Sequence, residues 1–220
     1  MNRLALFDCD GTLVDSQANI CLAMEAAFDG AGLAPPPRTQ IRRIVGLSLP
    51  QAMAALLPDA DDGFHTALAD AYKAAFFRLR SSGTMLAEPL YDGIADLLVS
   101  LADTGWVMGV ATGKSDRGLG LILAHHGIDH HFITLQTADR HPSKPHPSMV
   151  EQAMAESGAS PETTVMIGDT HYDMAMAKAA GTHAVGVSWG YHAPDELIAA
   201  GAAWVADDAH QLRALKEALA

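Results

Sequence analysis

Leu4-Ala5-Leu6-Phe7-Asp8-Cys9-Asp10-Gly11-Thr12 opens the chain with a short apolar run that ends in two acids and a Gly-Thr turn. An apolar run of this length followed by a turn reads as a buried strand, and it delivers carboxylates to its C-terminal end. In open α/β sheets that edge is where ligands bind. Side chains two apart on a strand share a face, so the alternation puts Asp8 and Asp10 within reach of one point. Two acids held together repel unless a cation, a proton or a donor set compensates. The turn therefore asks for a cation site elsewhere in the chain.

The sequence beyond the turn separates into two rhythms. Asp15-Ser16 is an N-cap pair, and residues 17–29 carry Ile20, Ala23, Met24, Ala27 and Phe28 at helical spacing. Gly30 and Gly32 end that helix, and Pro35-Pro36-Pro37 stiffens the loop after it. Short helices are expected over 39–45, 51–57 and 63–79, and Ser81-Ser82-Gly83 breaks the pattern. From there strands and helices alternate. Strands are expected over 106–111, 131–134, 165–167, 184–187 and 204–205, with helices near 91–104, 115–126, 147–157, 171–180, 194–200 and 208–219. Such alternation predicts a Rossmann-like, doubly wound parallel sheet, an α/β fold. Residues 4–7 belong to that sheet, so residues 1–15 and 83–220 form an α/β core domain. Residues 16–82 form an all-helical domain inserted just after the acidic turn, placed to act as a cap.

Bulk properties exclude some partners. The chain has 220 residues, 14 basic and 26 acidic, for a formal charge of 14 − 26 = −12. Nucleic acid and anionic membrane both need a positive surface, so neither is expected as a partner. A local site can still be positive, and an anionic small molecule remains admissible. The two cysteines, Cys9 and Cys21, make no disulfide framework, and the acids flanking Cys9 disfavour its thiolate. Met1-Asn2-Arg3 runs straight into the first strand, and no apolar run approaches the ~20 residues of a membrane helix. A soluble, cytoplasmic protein is expected, as a monomer or a homodimer.

Four elements carry chemistry. The first is the Asp8 turn. The second, Val110-Ala111-Thr112-Gly113-Lys114-Ser115, ends a strand in a hydroxyl and a glycine before a helix, offering N–H and O–H donors to an anion. The third, Ser143-Lys144-Pro145, presents a lysine held by prolines. The fourth, Ile167-Gly168-Asp169-Thr170-His171-Tyr172-Asp173, ends a strand in one acid with a second four residues on. Singly each reads as an ordinary loop. Together they supply acids for a metal, donors for a phosphate and one fixed cation.

In this order the four elements resemble the motifs of the haloacid dehalogenase-like hydrolase superfamily. The opening Asp-x-Asp-Gly-Thr-Leu-x-Asp, Asp8 to Asp15, with a helical insertion behind it is similar to its capped phosphatases, phosphoglycolate phosphatases in particular. Asp10 separates the chain from the dehalogenase branch. The resemblance implies roles residue by residue. Asp8 matches the nucleophile that accepts the phosphoryl group. Asp10 matches the general acid and base, its backbone carbonyl also a metal ligand. Thr112 and the Gly113 amide match the phosphate donors, with Gly11 and Thr12 in the same phosphate-binding turn. Lys144 matches the cation beside Asp8, Asp169 the second metal carboxylate, and Asp173 an acid near the metal through water or Lys144. The implied cofactor is Mg²⁺, which an oxygen-only ligand set suits better than Zn²⁺. The implied substrate is a small phosphorylated metabolite, with phosphoglycolate first. A phosphosugar mutase, a pyrophosphatase or nucleotidase, and a non-catalytic phospho-ligand binding protein are the alternatives.

Other residues have weaker claims. Arg42 and Arg43 stand on one cap helix about 100° apart, so one at most faces the cleft, and Arg43 is preferred as a substrate contact. The pairs His125-His126 and His130-His131 lack further ligands at metal spacing and read as exposed polar residues. His171 lies inside the fourth motif. Met174 and Met176 read as helix packing. Gly186 to Tyr191 is expected to close the edge of the pocket.

Overall fold

The computed structural model describes residues 2–219. Strand β1 (Asn2–Phe7) lies at the centre of a six-stranded sheet with β2 (Trp106–Thr112), β3 (Phe132–Thr137), β4 (Ala159–Gly168), β5 (His183–Val187) and β6 (Val205–Ala206). The strand order is β3-β2-β1-β4-β5-β6, and every pairing is parallel. The order reverses between β1 and β4. The crevice at such a reversal, beyond the strands' carboxyl ends, is the ligand site of doubly wound sheets.

Burial explains why β1 is apolar without interruption. Leu4, Ala5, Leu6 and Phe7 are all fully buried because helices cover both faces of the sheet. Ala5 and Phe7 join the cluster with α5 (Ile94–Asp103), α6 (Asp116–His126) and the C-terminal Leu212 and Leu215. Leu4 and Leu6 point the other way, into the cluster of α7 (Ser148–Ser157), α8 (His171–Ala179) and Leu197 of α9 (Pro194–Ala200). Met174 and Met176 pack there as the sequence suggests.

Helices α1 (Gln17–Gly30), α2 (Arg38–Arg43), α3 (Leu49–Leu56) and α4 (Asp62–Ser81) follow β1 without an intervening strand. They pack around a cluster of their own that includes Ile20, Met24, Phe28, Ile41, Met53 and Leu68. The cap loop rests on core loops at Ser48, whose amide donates to Ser143 Oγ at 2.8 Å. A second contact is the exposed ion pair Arg43–Glu196 at 2.7 Å.

Strand β3 runs to Thr137, three residues beyond its expected end, and two elements differ more. Strand β4 begins six residues earlier than 165, at Ala159, but pairs with β1 in regular register only from Thr164 to Ile167. A register shift between Asn2 and Leu4 absorbs the polar Ser160-Pro161-Glu162 segment. The expected helix over 208–219 is instead 3₁₀ over Gln211–Leu219 and is interrupted at Ala214 (φ −88°, ψ 15°), while Ala220 lies outside the described residues. Among the described residues no helix is long and apolar enough to cross a membrane.

Leu101 on α5 is 1% exposed within the larger of the two sheet-face clusters. Leu101→Ala should cost about 2–5 kcal/mol of stability in urea denaturation, the range for a buried leucine whose cavity cannot collapse. A loss below about 1 kcal/mol would show that this face is loosely packed.

Candidate active site

β1 ends at Phe7, and the chain then turns so tightly that the amides of Leu13 and Val14 both donate to the Cys9 carbonyl. Gly11 makes the turn possible. Its φ of +84° lies in the left-handed region, and a Cβ there would stand 2.3 Å from Asp169 Oδ2. Because Asp8 and Asp10 lie beyond the strand, strand alternation does not govern them. Their carboxylates take different partners instead of sharing one point.

Asp8 is 1% exposed, and its Oδ1 accepts from the Cys9 amide at 2.7 Å and from Lys144 Nζ at 3.0 Å. Its Oδ2 is buried with no hydrogen-bond partner. Lys144 is itself fully buried and also donates to Asp173 Oδ1 at 2.6 Å. Asp173 Oδ2 accepts from the Thr170 hydroxyl at 2.7 Å and from its amide at 3.1 Å, and the Thr170 hydroxyl oxygen accepts from the Asp173 amide at 3.4 Å, completing the capping box that starts α8. Asp169 stands at the end of β4. Its Oδ1 accepts from Thr12 Oγ1 at 2.9 Å and its Oδ2 from the Tyr191 amide at 2.9 Å. One oxygen each from Asp8, Asp169 and Asp173 lies within 4.8 Å of the others.

Asp10 is held apart. Its Oδ1 pairs with Lys114 Nζ at 2.8 Å and accepts from the Ser16 hydroxyl. Ser16 is the N-cap residue of α1, but its side chain caps nothing because it is committed to Asp10. Thr112 ends β2 with its hydroxyl buried, accepting from the Lys114 amide at 3.3 Å. Gly113 lies under the cap, since a Cβ there would approach the Leu47 carbonyl to 2.6 Å.

Burial sets the electrostatics. It pushes the Asp8 carboxyl up to about 7; Lys144 opposes the shift, while Asp173 and Asp10 add to it. Burial and the neighbouring Asp8 and Asp173 charges raise Asp169 well above the carboxylate range, against the Tyr191 and Thr12 hydrogen bonds. Burial works against the Lys144 ammonium, but Asp173 and Asp8 override it and hold the lysine above its ordinary value. The same balance, with Asp10 as the main partner, raises Lys114.

This donor set fits a divalent cation. Three carboxylates crowd one point, one buried oxygen has no partner, and only one ammonium offsets them. A hard cation taking oxygen ligands would relieve the repulsion that raises the carboxyls.

Above the acids lies a cavity of about 330 Å³ between core and cap, lined by Asp8, Asp10, Thr112, Gly113 and Lys114 on the core side. Of the expected site residues, Asp8, Asp10, Thr112 and Gly113 line the cavity, Lys144, Asp169 and Asp173 cluster around Asp8, and Gly11, Thr12 and Arg43 do not line it. The Thr12 hydroxyl is committed to Asp169 and not to the cavity. Arg43 does not line the cavity: it pairs with Glu196, and its carbonyl accepts from Tyr172 OH at 3.3 Å.

Lys114, Ser16 and Tyr191 have roles that the sequence reading did not assign. Lys114 stands inside the quoted second turn, and its charge beside a strand end was a usable signal. Ser16 carried none, because a helix cap explained it fully. The Gly186 to Tyr191 segment packs against the acidic turn, with Trp189 Nε1 donating to the Thr12 carbonyl at 3.1 Å, but none of its residues lines the cavity whose edge it was expected to close. His171 stacks on His192, and burial and Arg43 keep both imidazoles below their ordinary values, His192 at about 4. His126 is half-buried and not exposed, with its Nε2 2.8 Å from the Glu88 carbonyl oxygen.

Comparison with known proteins agrees with this geometry. The family model described as haloacid dehalogenase-like hydrolase matches residues 5–187. The chain is 37% identical over 204 residues to the probable phosphatase IndB of Dickeya dadantii, covering 91% of this chain and 87% of that one. It is 28% identical to a phosphoglycolate phosphatase of Haemophilus influenzae, covering 96% of each. A crystal structure described as a predicted phosphatase from Clostridium acetobutylicum superposes with a TM-score of 0.87 at 26% identity, covering 99% of both chains. The chain belongs to the haloacid dehalogenase-like hydrolase family, among relatives named as phosphatases.

Raised carboxyls fix the sign of a pH effect. A cation must displace protons from Asp8 and Asp169, so its stabilisation grows as pH rises toward the Asp8 value. Without metal, these two groups make the protein lose stability as pH climbs from the ordinary carboxylate range toward about 7. Millimolar Mg²⁺ should therefore raise Tm more at about pH 7.5 than at about pH 5.5. An equal increase at both values would exclude coupling to these carboxyls.

Proposed function

We propose that the chain is a Mg²⁺-dependent phosphatase that hydrolyses a small phosphate monoester through an aspartyl phosphate on Asp8. The observation that carries this reading is the Asp8 carboxylate, which lines the cavity and is anchored through Oδ1 by Cys9 and Lys144 while its buried Oδ2 has no hydrogen-bond partner.

The residues divide the work. Asp8 attacks phosphorus and the bond to the leaving oxygen breaks. Asp10 gives its proton to that oxygen. Lys114 and Ser16 both hold Oδ1 of Asp10, so Oδ2 is the atom that exchanges the proton. In the second half Asp10 takes a proton from water as the water oxygen attacks the same phosphorus, and inorganic phosphate leaves Asp8 free. Thr112 and the Gly113 amide hold the phosphoryl oxygens. Lys144 opposes the burial that raises the Asp8 carboxyl and offsets charge on the transferring group. Asp8, Asp169 and the Asp10 carbonyl would hold Mg²⁺, with Asp173 acting through Lys144. When bound, the ion screens the repulsion between a carboxylate and a phosphate dianion.

The four helices over 16–82 serve as the cap that shields the cleft from water. The substrate is a small phosphorylated metabolite, for which the resemblance makes phosphoglycolate the first compound to assay. A cytoplasmic setting suits such a substrate.

Asp8→Asn should reduce Mg²⁺-dependent hydrolysis of p-nitrophenyl phosphate to background and abolish fluoroberyllate trapping on the peptide that contains residue 8. Asp10→Asn should lower kcat by about 10²–10⁴. Full activity in Asp8→Asn, or a phosphoryl adduct on another side chain during turnover, would refute the reading.

A further inference from the structure

The cavity above Asp8 is about 330 Å³, at the lower end of the ~300–1,000 Å³ that enclose small-molecule ligands. Its floor is charged, and its walls are mostly apolar, with Lys73, Arg80 and Arg117 also on the lining. Ile20, Met24, Ile44, Val45, Tyr72 and Phe76 all come from the cap and face the same space. Tyr72 and Phe76 lie one turn apart on α4 with their rings 6.0 Å apart, forming an aromatic wall.

The cations around this space are engaged or peripheral. Lys114 is bound to Asp10, with its Nζ 5.9 Å from the Phe76 ring centroid. Arg80 stacks on Phe76 at 5.7 Å and Arg117 on Phe77 at 5.4 Å. Lys73 and Arg117 are exposed, and Lys73 pairs with Asp70 at 3.1 Å. Arg43, the expected carboxylate partner, is turned outward to Glu196. A carboxylate carried into the cleft beside the phosphate would lose its hydration against apolar walls, and the lining cations Arg80, half-buried, and Lys73 and Arg117, both exposed, would repay little of it because water screens such pairs. An apolar body of similar length would gain from the same surface.

We propose that the cleft selects phosphate monoesters whose leaving group is an uncharged, aromatic or branched apolar alcohol, and rejects short carboxylated esters of the phosphoglycolate kind. The phosphoryl group sits on the floor with Asp8 and Thr112, and the alcohol portion lies against Tyr72 and Phe76. The inference rests on the phosphatase reading for its chemistry, but the selection itself is a property of binding.

The test uses the full chain with Mg²⁺ and has two arms. In calorimetry, benzylphosphonate should bind at least about tenfold more tightly than phosphonoacetate, a ratio in the range that apolar pockets give for small differences in side group. Phe76→Ala, with Phe76→Leu as a milder variant should it fold poorly, should narrow that ratio. In turnover, kcat/KM for benzyl phosphate should exceed that for 2-phosphoglycolate by a similar factor; both are esters of alkyl alcohols. Equal or tighter binding of phosphonoacetate overturns the proposal, as does a ratio unchanged in both Phe76 variants. Selective binding without hydrolysis of any ester would sink the phosphatase reading and leave the selection standing.

Discussion

The Lys144 ammonium, enclosed with Asp8 at 3.0 Å and Asp173 at 2.6 Å, is the interaction on which the site depends. Burial of this kind is costly for every charge involved, and a buried pair contributes little net stability compared with apolar packing. Its presence is explained by what it holds. Asp8 comes from the end of β1, Asp173 from the first turn of α8, and Lys144 from the loop before α7. One nitrogen therefore fixes the relative position of three segments that lie far apart in the chain. Asp169 adds a third carboxylate that the lysine does not reach, and the resulting excess of negative charge is what a divalent cation would complete. Stability and chemistry are in tension here, as expected where strain and unpaired charge concentrate at working sites.

The inserted helices show a different economy. Ile20, Met24, Ile44 and Val45 belong both to the cap's own apolar cluster and to the lining of the cavity. The cap's core is thus open on one side, toward the acids. The residues that hold the helices together are also the surface against which a leaving group would lie. The contacts Ser48 to Ser143 and Arg43 to Glu196, which help seat the cap, lie outside the cavity.

Much of the fold was legible because its signals are local. A four-residue apolar run buried on both faces, strand–helix alternation after residue 83, and proline and glycine punctuation gave the parallel sheet and the helical insertion. Where the reading missed, a long-range contact had overruled a local signal. Ser16 looks like a cap residue and is one by position, yet its hydroxyl goes to Asp10 six residues back. Arg43 looks like a substrate ligand on the cap, yet Glu196 of α9 takes its charge. The kinked 3₁₀ ending over Gln211–Leu219 carries a helical pattern that packing against the sheet did not keep regular.

The sequence alone determined which chemical groups are present and the order in which the chain delivers them: Asp8, Thr112 and Asp169 each stand at a strand end, strand ends of a parallel sheet converge on one edge, and Lys144 comes from the loop after β3. It determined also that an insertion would face that edge. Only the tertiary structure decided how the charges are shared, because pairing depends on distances between segments that no periodicity encodes. That is why Asp8 and Asp10, two residues apart, end with separate lysines, and why the cleft above them is walled mainly by hydrocarbon.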